Sequence, residues 1–353
     1  MSRSITGSNL PRSEHVPEAG VRSRPWTATF ILIGGAIALL LGMALSVTFG
    51  AENIRFDTVW SAVFRFNPAN IDHQIIQELR LPRIIGDALI GSSFAVAGAI
   101  MQGMTRNPLA DSGLLGLNAG AGFALAVCFA FIPGLPYLYL ILYSFVGAGL
   151  GAGLVYGIGA IAKGGLSPVR LVLAGAALSA LLSSLSEGIS LYFHIGQDIA
   201  FWYAGGVAGI KWLQIKVMLP WVAAALIGAV ALSRSITMLS LGEDVARSLG
   251  LRSGWVKLAG TGIVLILAGA AVSVAGAVGF VGLIIPHLTR RLVGIDYRWI
   301  IPCSAILGAL LVVFADLAAR MVNPPFETPI GALISLIGVP FFLYLARKER
   351  REL

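Results

Sequence analysis

The chain has 353 residues, of which 57% are hydrophobic and only 12% are charged, and its mean hydropathy is +0.86. A soluble domain carries about twice that charged fraction, so the composition excludes an ordinary water-soluble protein and indicates one surrounded by lipid. The formal net charge is +8, but the basic residues gather at the ends of apolar segments and form no continuous stripe. This distribution argues against a nucleic-acid-binding protein.

The order of polar and apolar segments predicts an all-α, polytopic membrane protein. Residues 1–27 are polar and rich in Arg, Ser and Pro, which predicts a disordered cytoplasmic tail. A transmembrane domain with about ten helices is predicted over 28–347, and a short basic cytoplasmic tail over 348–353. The predicted spans are 30–50, 84–104, 113–132, 137–161, 170–193, 213–233, 256–276, 278–294, 300–322 and 330–346. The segment 278–294 is the shortest and is interrupted by Pro286.

The basic residues also predict the orientation of the chain. If the N-terminus lies inside, 18 of the 25 Lys and Arg residues fall on inner segments. Inner segments of membrane proteins are enriched in these residues. We therefore predict that both termini are cytoplasmic.

The sequence lacks the motifs of several kinds of active site. No Lys follows the glycine pattern of a phosphate-binding loop, so we expect the chain not to hydrolyse ATP. The four His residues are scattered, and Cys128 and Cys303 lie in apolar runs without a partner motif. We therefore expect no catalytic residue, no metal site and no cofactor bound by this chain.

Charged residues stand at the predicted outer ends of the second and ninth spans. Arg80 and Arg83 precede or begin the second span, and Arg320 lies near the outer end of the ninth. Asp87 lies four residues after Arg83, and Asp316 four residues before Arg320, so each pair shares a helix face and can neutralise its charges. The residues alone leave open whether these arginines anchor helices in the headgroup region or have a functional role.

The predicted inner loop at 235–253 has the pattern of a short amphipathic helix. Ser240 is predicted to cap its N-terminus, and Gly250 to end it. Glu243 is expected to pair with Arg247, four residues later. Three apolar residues fall on one face: Leu241, Val245 and Leu249. A helix this short must pack on something, either its own membrane domain, the headgroups or a cytoplasmic partner.

The fifth span contains the most polar patch within the predicted membrane region. Glu187 lies there among several serines, including Ser183. Because a carboxylate in hydrocarbon is costly, both residues are candidates for lining a translocation pathway. A structural hydrogen bond to a neighbouring helix is an open alternative.

A series of longer motifs resembles one family. They are RLPR (80–83), QxxxRNPLA (102–110), LGEDVARSLG (241–250), GFVGLIIPHLTR (279–290), GIDYR (294–298), ADLAAR (315–320) and FETPIGALISLIGVPFF (326–342). Together they resemble the membrane subunits of type II ABC importers for iron siderophores, haem and vitamin B12. The motifs stand in the family's order, and the resemblance runs from about residue 30 to 346, nearly the whole chain.

The resemblance implies a set of partners. Such permeases work in pairs, so we expect a second permease subunit, identical or a sister chain, in a bacterial plasma (inner) membrane. It also implies two ATP-binding subunits inside and a substrate-binding protein outside, with ATP on the partner chains. A ferric siderophore is the expected substrate because the family is broad and includes many siderophore importers, with haem or cobalamin as alternatives.

The resemblance also assigns roles to residues. Arg80, Arg83 and Arg320 are expected to meet acidic residues of the binding protein. The ATPase-coupling residues are expected to be Leu241, Gly242, Glu243, Val245, Arg247, Leu249 and Gly250. The substrate is expected to pass along the interface between two permease subunits.

Two other classes of function compete with this interpretation. A carrier driven by an ion gradient would use acidic residues on broken helices, for which Glu187 and the segment around Pro286 give some support. Such a carrier has no need of the coupling-type loop at 241–250. A membrane scaffold would require neither that loop nor the outer arginines.

Overall fold

The computed structural model describes residues 23–50, 54–161, 168–203, 206–324, 326 and 328–349. Within these ranges the chain is helical and contains no β-strand. Its α-helices are α1 (Pro25–Thr48), α2 (Phe56–Phe64), α3 (Ile71–Ile75), α4 (Leu81–Thr105), α5 (Leu117–Phe131), α6 (Tyr137–Ile161), α7 (Pro168–Phe193), α8 (Gly196–Tyr203), α9 (Trp212–Ser240), α10 (Glu243–Ser248), α11 (Ser253–Ala275), α12 (Val281–Val293), α13 (Tyr297–Val322) and α14 (Ile330–Glu349). A π-helical turn, Ile76–Arg80, joins α3 to α4, and a 3₁₀ turn, Ser112–Leu115, precedes α5.

Seven helices in the described ranges are long and apolar enough to cross a membrane: α1, α4 with the turns before it, α6, α7, α9, α11 and α13. Each coincides with a predicted span. The surface of α1 carries exposed Phe30, Ile33 and Leu40, side chains that suit contact with lipid rather than water. The all-α membrane architecture predicted from the sequence is therefore confirmed.

The other three predicted spans correspond to shorter helices. Helix α5 has 15 residues and α12 has 13, or about 22 and 20 Å of helix, less than the roughly 30 Å of a hydrocarbon core. Helix α14 has 20 residues, with Pro340 inside it. Helix α12 is short because the chain leaves helical geometry between Ala275 and Val281, where Phe280 has a φ of 68°.

Helix α4 lies at the centre of the described structure. It packs against α9, α11, α12 and α13, and its Ile90, Ala95 and Ile100 are fully buried. Helix α1 packs on the outside of α13, whereas α5, α6 and α7 form a second group beside α11. The central helix thus reaches from the arginine pair at its N-terminus to Arg106, which follows its C-terminus.

Close helix packing explains part of the high glycine content. A Cβ atom on Gly98 would overlap the backbone of Gly282 in α12, and one on Gly91 would overlap the carbonyl of Gly308 in α13. Hydrophobic exclusion from water does not drive helices together in lipid, so small residues that allow close contact take over that role.

The start of α1 differs from the predicted end of the tail. The helix begins at Pro25, where proline suits a first helical turn. The backbone N–H of Arg24 donates to the carbonyl of Val293 at 2.9 Å, and Ser23 forms an antiparallel bridge with Gly294. Most of each predicted tail lies outside the described residues: 1–22 of the N-terminal tail (1–27) and 350–353 of the C-terminal tail (348–353).

Candidate functional site

Charged side chains from α4 and α13 form a buried cluster, which we call the outer ion cluster: Arg80, Arg83, Asp87, Asp316 and Arg320. Arg83 donates to Asp316 Oδ1 through Nε at 3.0 Å and through Nη2 at 2.7 Å. Arg320 forms an ion pair with Asp316 Oδ2 at 3.1 Å. Asp87 is fully buried beside them and interacts electrostatically with Asp316, Arg83 and Arg320. The predicted pairing of Asp316 with Arg320 is confirmed.

Two arginines of the outer ion cluster also bind the C-terminal end of α1. Arg80 Nη1 donates to the carbonyls of Val47 and Thr48, and Arg320 Nη1 donates to the carbonyl of Ser46 at 3.1 Å. The last carbonyls of a helix have no partner within the helix and carry partial negative charge, so guanidinium groups stabilise them. The cluster therefore joins three helices at one end of the protein.

The outer ion cluster is largely enclosed. Arg80, Arg83 and Arg320 are 8–9% exposed, and Asp316 is 0% exposed. The structure thus brings together the three arginines for which the family resemblance implies a docking role, and it gives them internal partners as well. Counted as formal charges, three guanidinium groups and two carboxyl groups leave an excess of one positive charge in the cluster.

The predicted inner loop does contain a short helix, α10, but its N-terminus differs from the prediction. Ser240 belongs to the last turn of α9, where its hydroxyl donates to the carbonyl of Thr237 at 2.7 Å. The residue before α10 is Gly242, which makes no side-chain cap and has a φ of 136°. The assignment of Ser240 as the cap is wrong because α9 continues to Ser240, about two turns beyond the predicted end of the span at 233.

The other features of this loop match their predictions. Arg247 Nη2 lies 2.8 Å from Glu243 Oε1, and Gly250 ends the helix with a φ of 82°. The apolar residues Leu241, Val245 and Leu249 are 44%, 46% and 64% exposed. We call these three side chains the loop face, and the described part of the chain leaves it uncovered.

Glu243 ties the loop to α11. It accepts hydrogen bonds from Lys257 Nζ at 2.7 Å, from Ser253 Oγ at 3.2 Å and from Arg247. The hydrogen bond from Lys257 is the largest cause that lowers the pKa of Glu243 below its ordinary value of 4.5. Glu243 is thus ionised at neutral pH and connects α10 to a long central helix.

Ser183 and Glu187 lie one turn apart on α7, and both are exposed on the surface of the chain. The same side of α7 carries small residues such as Ala176 and Ala180, also exposed. A carboxylate on an outward face of an apolar helix would meet hydrocarbon in a lone subunit, at considerable cost.

Several contacts of these sites were missed by sequence reasoning. Arg83 and Asp316 are 233 positions apart, and the partners of Glu243 on α11 lie outside the i, i+4 spacing that was considered. Near the C-terminal end of α4, Arg290 donates hydrogen bonds to Gln102 and Tyr297, and no sequence-spacing rule predicts these contacts. No set of three or more His, Cys, Asp or Glu side chains in the described ranges is arranged to hold a metal ion.

The chain is similar to known transport proteins over most of its length. The profile of the FecCD transport family matches residues 38–348. The iron(3+)-hydroxamate import system permease protein FhuB of Bacillus subtilis is 56% identical over 331 residues, covering 94% of this chain and 86% of the relative. The iron-uptake system permease protein FeuB of the same organism is 43% identical over 330 residues, covering 94% and 98%.

A solved structure supports the same assignment. A metal-chelate type ABC transporter in an inward-facing conformation superposes with a TM-score of 0.79 at 28% identity, covering 91% of this chain and 99% of the other. The family match covers most of the chain, and the apolar helices make it a multi-pass protein of the plasma membrane. The chain therefore belongs to the FecCD transport family.

Proposed function

We propose that this chain is the permease subunit of an ATP-driven importer and forms the translocation pathway for a ferric siderophore. The observation that carries the proposal is the 56% identity, over 94% of the chain, to an iron(3+)-hydroxamate permease. Identity at this level across nearly every helix favours a hydroxamate siderophore over haem or cobalamin as the cargo.

In this proposal the chain crosses the membrane ten times, with both termini inside. Each of the ten predicted spans overlaps a helix in the described ranges. Helices α5 and α12 cross as short segments continued by the adjoining non-helical chain, which protein neighbours cover in place of lipid. The distribution of Lys and Arg residues supports this orientation.

The outer ion cluster is proposed as the docking point for an acidic substrate-binding protein. Its excess positive charge is the supporting observation, since a carboxylate brought against the enclosed arginines would neutralise it. In this arrangement Asp316 and the end of α1 hold Arg80, Arg83 and Arg320 in fixed positions before the partner arrives.

The loop face is proposed as the seat of a separate ATP-binding subunit, one for each permease subunit. Its uncovered apolar side chains support this, because α10 has only six residues and a helix that short gains little stability alone. Movement of the ATPase would reach the membrane domain through Glu243 and Lys257. The permease itself would hydrolyse no ATP and bind no cofactor.

A second permease subunit is proposed to cover the exposed face of α7. Pairing there would remove Glu187 from lipid and place it, with Ser183, along a pathway between two subunits. The small residues on the same face allow a close approach of the partner helix.

The test is gentle purification of the tagged protein from its native membranes, with quantitative mass spectrometry of its partners. We expect an ATPase subunit in equal amount, and a sister permease if the pair is heterologous. A chain that emerges alone, from a detergent shown to preserve a known ABC complex, would contradict the proposal.

Two variants test the assigned surfaces in the same preparation. Leu241→Asp with Val245→Asp should release the ATPase while the permease still inserts in the membrane. Reversing the charge of Arg80, Arg83 and Arg320 should abolish binding-protein docking and leave the ATPase bound. A matched control reverses Arg55 and Arg65, exposed arginines outside the cluster, and should leave docking unchanged. Docking that survives the triple reversal would remove the assignment.

A further inference from the structure

A cavity of about 210 Å³ opens at the inner end of the protein, beside the coupling loop. It lies where α4 and α9 end and where α12 approaches the start of α13. The residues of its wall that matter here are Gln102, Arg106, Ser240, Leu241, Arg290 and Tyr297. Two guanidinium-bearing side chains therefore line one small cavity.

Arg290 is held in place by neutral groups. Its Nη2 donates to Gln102 Oε1 at 3.2 Å and to the hydroxyl of Tyr297 at 3.0 Å. Gln102 and Tyr297 are 1% and 2% exposed, and Gln102 in turn donates to the carbonyl of Gly282 at 3.3 Å. These contacts fix the orientation of the guanidinium, and no acidic side chain in the described ranges forms an ion pair with it.

Arg106 also lines the cavity and lies beside the coupling loop. It ends α4 with a φ of 53°, and its Nη1 is 4.0 Å from where a Cβ on Gly242 would stand. No described residue forms a hydrogen bond or ion pair with its guanidinium. Glu243 is engaged with Arg247 and Lys257, and Asp296 with Arg298, whereas the exposed Asp244 on α10 forms no ion pair with a described residue.

We propose that this cavity receives a carboxylate of the cytoplasmic ATPase subunit. The inference rests on the proposed function, which supplies the partner, and it adds a polar contact to the apolar loop face. Guanidinium groups bind carboxylates through paired hydrogen bonds, and neither the exposed Arg106 nor the half-buried Arg290 has an acidic partner among the described residues.

The position of the cavity favours a protein carboxylate over a lipid headgroup. Leu241 belongs both to the cavity wall and to the loop face. A subunit that covers Leu241 must therefore also cover the mouth of the cavity. Such a contact would fix the register of the ATPase on the loop, which three apolar side chains alone define poorly.

The test measures binding of the ATPase subunit to the full-length permease in nanodiscs of neutral lipid. Arg106→Gln should weaken binding about tenfold or more and reduce its dependence on salt between roughly 0.01 and 0.15 M. Arg106→Lys should retain more of the affinity. The matched control, Arg291→Gln, changes an exposed arginine on the same helix as Arg290 but outside the cavity wall, and should bind like the wild type.

Arg290→Gln is a second variant of the same cavity. Because it also removes hydrogen bonds to two buried side chains, its thermal stability is measured alongside its binding of the ATPase subunit. If Arg106→Gln binds the ATPase subunit as tightly as the wild type at both salt concentrations, the inference is overturned, and the proposed function is unaffected. A loss of affinity seen only in discs with anionic lipid would also overturn it, since the occupant would then be a headgroup. Failure of the wild type itself to bind an ATPase subunit would instead contradict the proposed function.

Discussion

Asp316 is the residue on which the stability of the outer ion cluster most depends, so Asp316→Asn should destabilise the protein strongly. Its carboxylate faces Arg83 at 2.7 Å and Arg320 at 3.1 Å, and it is itself fully buried. Removing one partner of a buried ion pair costs about 3–5 kcal/mol, because the remaining charge is left uncompensated. The amide oxygen of asparagine can still accept one hydrogen bond from Arg83, so we expect the lower end, about 3 kcal/mol.

The assay is reversible unfolding in mixed micelles, with the free energy of unfolding compared between variants. Asp57→Asn is the matched control, since Asp57 pairs with Arg55 at 3.3 Å but both side chains are exposed, and it should cause no measurable loss. Adding Arg83→Gln to Asp316→Asn should cost about 1 kcal/mol less than the sum of the two single losses. An Asp316→Asn protein as stable as the wild type would refute the idea that the cluster stabilises this end of the fold.

Three further predictions concern the loop and the helix packing. Glu243→Lys and Lys257→Glu should each reduce substrate transport per ATP hydrolysed. The double variant should restore transport because the ion pair forms again with its charges exchanged. A double variant that transports no better than the single variants would argue against this link between α10 and α11. Because the pKa of Glu243 is lowered, the stabilisation from this pair is fully present above pH 4.5, the ordinary value, and is lost as pH falls through the lower folded-state value. The difference in transport per ATP between Glu243→Gln and the wild type should therefore be the same at pH 8 as at pH 6. Gly98→Val should prevent accumulation of folded protein because its side chain would overlap the backbone of Gly282, while Gly157→Ala, with nothing within 4 Å of the added Cβ, should accumulate normally on size-exclusion chromatography.

The membrane architecture could be predicted from the sequence because it depends on local composition. A segment such as Trp212–Ser240 is apolar over more than the thickness of the bilayer, and lipid requires such a segment to be helical. The same rules overestimated the helical part of 278–294. Gly276 and Phe280, at the start of this segment, adopt positive φ values and interrupt the helix. Phe280 packs against Gly338 of α14, a contact that the local sequence does not reveal.

The candidate sites were predicted only where their contacts are local. The pairs Glu243–Arg247 and Asp316–Arg320 follow from i, i+4 spacing and are present. The burial of the arginines was not foreseen, because it depends on the end of α1, which the chain brings to Arg80 from 33 positions away. Tertiary contacts of that kind leave no periodic signal in one sequence.

The measurement that tests the central claim most directly is uptake of an iron-55-loaded hydroxamate siderophore into proteoliposomes. The vesicles would contain this permease with its ATPase subunits, and the substrate-binding protein would be supplied outside. We predict uptake that requires both ATP and the binding protein and that Leu241→Asp with Val245→Asp abolishes. Uptake that continues without ATP and follows an imposed ion gradient would contradict the account.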